Sequence, residues 1–199
     1  MSASRGEREI QAAMSSEDRA QRFYDFQVND RLNERMKDLI RRQEMVFVAT
    51  ADAEGNCDCS PRFGKPGFVV VLDDQSVAYP EFRGNGVYAS LGNILENPHV
   101  GLVFVDFFGT TVGLHVNGTA ASCSPDEVSV PLAAQADWRA VNANSAIERW
   151  VVVKIEEAFI HCSKHVPLLQ KMDKSISWGT DDPLAKSEGF FSPTVTCMQ

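Results

Sequence analysis

What most constrains this chain is a succession of short, apolar, β-branched runs separated by polar breaks. Residues Met45–Ala51 read MVFVATA, and Asp52-Ala53-Glu54-Gly55-Asn56 form a hairpin-type connection to CDCSPRF. Two further runs, Phe68–Leu72 and Val77–Tyr79, flank the polar turn Asp73-Asp74-Gln75. A Gly-containing loop with Arg83, Gly84 and Asn85 precedes a helix-like segment, Val87–Leu95, and another apolar run, Val100–Val105. TVGLHVNGTAA (Thr111–Ala121) and WVVVKIEEAFIHC (Trp150–Cys162) supply two or three more strands. Continuous strands with few helices between them predict a mainly β fold, an antiparallel barrel, over a doubly wound sheet.

The flanks differ in character. Residues 1–44 are rich in charge and helix formers and are predicted as an N-terminal helical extension. Ser15-Ser16 can cap a helix whose first turn holds Glu17 and Asp18, where negative charge suits the helix dipole. Val28, Leu32, Met36, Leu39 and Ile40 recur at spacings of three and four, the pattern of one apolar stripe on a packing helix. The segment Ser124–Asn144 reads as a helix that starts at Ser124-Pro125-Asp126-Glu127. The barrel is expected over residues 45–165. Residues 166–199 lose periodicity and read as an irregular tail that orders only against another surface.

Composition narrows the function classes. With 199 residues, 44% hydrophobic and 23% charged, the chain can bury one sizeable core. A net charge of −8 argues against nucleic acid as the main partner. No run approaches the ~20 apolar residues of a membrane span. The opening MSASRGEREI has no apolar stretch after its basic residues, which argues against a secretory signal. Five cysteines are scattered without disulfide-scaffold or zinc-ribbon spacing, so the expectation is a reduced, cytoplasmic protein.

Four stretches carry candidate chemistry. Arg83, Asn85, Ser90 and Asn93 stand around a predicted helix start, where free backbone N–H groups beside a guanidinium suit a phosphate. A lone Arg-Gly-Asn is a weak motif that equally fits a plain turn. On a strand, Ser60 and Arg62 share one face and can address one ligand edge, although such an arginine also fits an edge-strand guard. His115 and Asn117 share a strand face that fits solvent or a cleft equally well. His161 and His165 flank Cys162, but a transition-metal site needs three or four ligands, and His115 or His99 could join only through the fold. No metal is therefore expected, and Lys164 at this strand end reads as a cation for an anionic ligand.

Taken together, FVATADAEGNCDCSPRFGKPGFV, AYPEFRGNGVYASLGNILENPHVGLVF, LHVNGTA and EEAFIHCSKH resemble the pyridoxamine 5′-phosphate oxidase-like, FMN-binding split-barrel family. The blocks keep the family's order over roughly residues 45–165. The resemblance implies a small Greek-key barrel that dimerises, with FMN in two equivalent clefts between the protomers. It implies cofactor contacts from Ser60 and Arg62 along the ring and ribityl chain, and from Arg83, Asn85, Ser90 and Asn93 near the phosphate. His115 and Asn117 would reach the cleft from a strand of the same or of the other subunit, and His161, Lys164 and His165 would stand near its mouth toward a small-molecule substrate.

One departure matters. The vitamin-forming oxidases of that family end in a Trp- and Arg-rich block, whereas this chain ends in WGTDDPLAKSEGFFSPTVTCMQ, without arginine. The expectation is therefore an FMN-dependent oxidoreductase that is not itself a pyridoxamine phosphate oxidase. The alternatives are a deazaflavin-dependent reductase and a flavin- or haem-binding protein without turnover. No obligatory acid or base is visible, so no catalytic residue is assigned.

Overall fold

The structure, a computed structural model, describes residues 3–127, 146–174 and 176. Three helices come first: α1 (Arg5–Ala13), α2 (Glu17–Gln27) and α3 (Glu34–Arg42). The strands follow as β1 (Met45–Ala51), β2 (Cys57–Phe63), β3 (Val70–Asp73), β4 (Ser76–Phe82), β5 (His99–Val105), β6 (Gly113–Cys123) and β7 (Ile147–His161). Helix α4 (Ala89–Glu96) lies between β4 and β5. All pairings are antiparallel, in the order β2-β1-β5-β6-β7-β4-β3. The sheet forms a split barrel, the form that the family resemblance implied for the antiparallel barrel of the strand pattern, and β2 and β3 are its unjoined edges.

Period-two alternation sets the core. On β1, Val46 and Val48 are buried, and Leu102, Phe104, Leu114, Val116, Val151 and Val153 meet them from β5, β6 and β7. A smaller cluster of Val70, Ala78, Ile147 and Trp150 covers the opposite side of the β3-β4-β7 region. Strands β6 and β7 pair along most of their length, with a bulge after Asn117. Gly118 makes that approach possible: a Cβ there would lie 2.0 Å from the Lys154 carbonyl oxygen.

Of the single helical stripe expected from Val28 to Ile40, only Met36, Leu39 and Ile40 lie on a helix, α3, and Val28 and Leu32 precede it. Helix α2 stops at Gln27, and Asn29 instead exchanges backbone hydrogen bonds with Ala158 of β7 at 2.9 and 2.7 Å. A strand-edge partner for the Asn29 backbone competes successfully with continuation of the helix. Asn33 then caps α3 by accepting from the Met36 N–H at 3.0 Å, and Leu39 and Ile40 enter the core. Lys37, nearly buried, pairs with Glu34 and with Asp74 in the β3–β4 turn. Ser16 occupies the predicted N-cap position of α2 but makes no side-chain capping bond.

At the other predicted helix start, the Glu127 N–H donates to Ser124 Oγ and the Ser124 N–H to Glu127 Oε2, a reciprocal capping pair. The rest of that predicted helix, 128–144, lies outside the described residues. After β7, a 3₁₀ turn spans Ser163–His165 and the chain runs on without helix or strand through residues 166–174. There the Leu169 N–H donates to the Phe107 carbonyl at 2.7 Å, and Lys171 pairs with Glu44 above the Phe108 ring. The remainder of the predicted tail, apart from residue 176, lies outside the described residues. Among the described residues no helix is long and apolar enough to cross a membrane.

Candidate functional site

A cavity of about 610 Å³ opens where the β2 edge faces the end of β4 and the start of α4. The volume is within the range of small-ligand sites. Period two points Asp58, Ser60 and Arg62 of β2 to this side, and all three line it. Glu81 lines it from β4, Asn85 from the loop, and Ala89, Ser90 and Leu91 from the first turn of α4. Phe63, Phe82, Val87 and Leu91 give it apolar walls.

The polar groups form one connected network. Arg62 Nε donates to Glu81 Oε1 at 2.8 Å, and one of its terminal nitrogens donates to Ser90 Oγ at 3.1 Å. Ser90 donates in turn to Asp58 Oδ2 at 3.0 Å, and Ser60 donates to the same oxygen at 3.1 Å. Arg62 and Glu81 are each under a fifth exposed. Burial pushes the Glu81 carboxyl above its ordinary value, and the Arg62 guanidinium works against that rise.

The loop over the cavity is held at both ends by a single carboxylate. Glu148 of β7 accepts from Arg83 Nε at 3.0 Å and from the Tyr88 hydroxyl. Between these anchors Gly86 adopts φ +80°, which glycine tolerates, and Tyr88 adopts φ +54°, which a tyrosine does not favour. Asn85 Oδ1 accepts from the Val87 N–H at 3.0 Å and shapes the turn. Helix α4 thus begins at the cavity wall, and the N–H groups of its first turn have no acceptor within the helix.

Of the residues singled out in the sequence, Ser60, Arg62, Asn85 and Ser90 converge on this cavity. Arg83 is at the loop's base, paired with Glu148, and is not among the lining residues. Asn93 lies farther along α4, where its amide donates to Thr50 Oγ1 at 3.0 Å and ties the helix to β1. His115 and Asn117 stand elsewhere, on the outward face of β6. Asn117 donates to Glu157 Oε1 at 2.7 Å, and His115 meets His161 across 3.0 Å. Lys164 and His165 are in the 3₁₀ turn, outside the cavity. Sequence reading missed Asp58, Glu81, Tyr88 and Glu148. Asp58 had a usable signal, because it keeps the period of Ser60 and Arg62 on one strand.

A flavin nucleotide can be tested against this donor set. The guanidinium of Arg62, the Ser60 and Ser90 hydroxyls and the α4 N-terminus match a phosphate or ribityl end. The phenylalanines and Val87 match an apolar ring. Asp58 is the group that opposes an anion, and the two serine hydroxyls that donate to it moderate its charge. The residues fit.

The chain belongs to the pyridoxamine 5′-phosphate oxidase family, whose model matches residues 32–162. Among solved structures it is similar to HupZ of Group A Streptococcus at 22% identity and a TM-score of 0.48, covering 65% of this chain and 93% of that one. It is similar to a Lactobacillus delbrueckii protein of proposed pyridoxamine 5′-phosphate oxidase type at 28% identity and a TM-score of 0.48, covering 66% and 95%. It is also similar to HutZ, the heme storage protein of Vibrio cholerae, at 12% identity and a TM-score of 0.43, covering 65% and 94%. No curated protein matches.

Proposed function

We propose that the protein is an FMN-dependent oxidoreductase, cytoplasmic and homodimeric, that acts on a small organic molecule. The supporting observation is the cavity in which Ser60, Arg62, Asn85 and Ser90 meet the N-terminus of α4 beside apolar walls. The flavin would supply hydride chemistry; the protein binds it, orients it and keeps water from its ring. Arg62 and the α4 N–H groups hold the phosphate, Ser60 and Ser90 address the ribityl hydroxyls, and Phe63 and Phe82 lie along the ring. Among the described residues Arg62 is the one cation lining the cavity, which favours the single phosphate of FMN over the longer acidic tail of a deazaflavin.

The test is an absorption spectrum of purified protein after FMN addition and gel filtration. Flavin bands that co-elute with a dimer-sized protein peak, and that fade in Arg62→Ala, support the reading. A colourless protein peak rejects it. Reduction of the retained flavin by a nicotinamide donor, followed by reoxidation on a small-molecule acceptor, separates an oxidoreductase from a binding protein.

A further inference from the structure

We propose that His115 and His161 together form a binding site for a late divalent transition ion of the copper(II) or nickel(II) type. His115 Nε2 and His161 Nδ1 lie 3.0 Å apart on adjacent antiparallel strands, although 46 positions separate them in sequence. They share no residue with the cavity at α4, and the proposal is independent of the cofactor.

Strand register makes the pair. His115 lies opposite Phe159, and His161 lies opposite Gly113, one period-two step away on the same face. Gly113 leaves the room that His161 needs, because a Cβ there would stand 2.7 Å from the His161 Cβ. The His115 ring stacks on Phe159 at 4.7 Å with 10° between planes, and Phe23 of α2 packs edge-on against Phe159 at 5.8 Å. One imidazole is therefore fixed on both its strand and its ring face. The second, His161, is exposed and free to adjust.

The spacing selects the geometry. At a metal–nitrogen distance of about 2.1 Å, nitrogens roughly 3.0 Å apart subtend about 90° at the ion, the cis angle of a square-planar or octahedral centre. A tetrahedral centre asks for roughly 3.4 Å. Imidazole nitrogen with tetragonal geometry favours copper(II) and then nickel(II), with water completing the shell. Burial and the neighbouring imidazole hold the His115 proton affinity below the ordinary value, which keeps its nitrogen available near neutral pH. The balance is simple. The proton bridging the two nitrogens moves to the far nitrogen of its own ring, two N–metal bonds form, and no proton is released from neutral imidazoles. Among the described residues no group of three or more His, Cys, Asp or Glu forms a metal cluster, so two is their full share of the ligands.

Cys57, Cys59 and Cys162 are exposed free thiols that would reduce copper(II), so nickel(II) is the probe. It is titrated by calorimetry into the full-length protein. Losing even an outer partner of a metal ligand weakens binding about 10–100-fold, so losing a ligand should cost no less. One equivalent is expected to bind, with at least about tenfold loss in His161→Ala and in His115→Ala. Binding should be unchanged in His99→Ala and His165→Ala. His161 is exposed at a strand end, so its variant is the one expected to fold normally, which circular dichroism checks. The proposal is overturned by an absence of nickel binding, by binding that survives in folded His161→Ala, or by binding that disappears with His99 or His165.

Discussion

Arg62 Nε donates to Glu81 Oε1 at 2.8 Å, and this pair bridges β2 and β4, two strands that share no backbone hydrogen bonds. The barrel's seam is therefore crossed by an ion pair at the edge of the cavity. Both partners are largely shielded, so the contact escapes most of the screening that makes surface pairs weak. One arginine serves two ends: it closes the seam and offers a cation to the cavity.

Replacing Arg62 with Met should therefore cost stability as well as ligand affinity. It strands a buried carboxylate, for which a loss of about 3–5 kcal/mol is expected in urea unfolding. The double variant Arg62→Met with Glu81→Met should recover much of that loss. A strictly additive double variant would mean that the two side chains do not interact.

Glu148 anchors Arg83 and Tyr88, the two ends of the loop over the cavity. Glu148→Ala removes both bonds and should raise amide exchange across residues 84–88 by about thirtyfold, the worth of two net hydrogen bonds at about 1 kcal/mol each. Exchange rates that match those of the native protein would show that the loop holds its shape without this carboxylate.

His115 gives stability a pH dependence of known sign. Its folded-state affinity for a proton is lowered by burial and by His161. As pH falls through the unfolded value of 6.5, the unfolded chain takes up the proton first, and stability is lost from there down to the lowered folded value. His115→Gln should flatten the change in urea midpoint between neutral pH and about one unit below 6.5. An equally steep profile in the variant would assign that pH dependence to other groups.

Gly118→Ala should be among the most damaging single changes. Its Cβ would fall 2.0 Å from the Lys154 carbonyl oxygen, in the ladder that joins β6 to β7. A loss of at least about 3 kcal/mol is expected, read as a lowered urea midpoint or as insoluble protein. Near-native stability would require the bulge after Asn117 to relax at little cost.

The strands were legible in the sequence because apolar, β-branched runs between polar breaks are a local property. MVFVATA became β1 and CDCSPRF became β2, joined by the predicted connection. The partners of the polar residues were not legible. Arg62 and Arg83 could be picked out as cations, but their acceptors, Glu81 and Glu148, depend on which strands meet across the fold. His115 and His161 are brought together by the β6–β7 register, which no local pattern encodes. The break between α2 and α3 is similar: Val28 to Ile40 keeps helical spacing, yet the Asn29 backbone is claimed by β7.

The place of β7 in the sheet also sets an order of events at the ribosome. It pairs with β4 on one side and β6 on the other, although it is the last of the described strands to be made. About 80 residues separate Phe82 from His161, which at ~5–20 residues per second takes about 4–16 s to synthesise. For that time the nascent β3–β4 hairpin has no native neighbour along the β4 edge. The hairpin is short, and β3 is only four residues long. An isolated hairpin of this kind is marginal in water, so its permanent structure waits for the final strand.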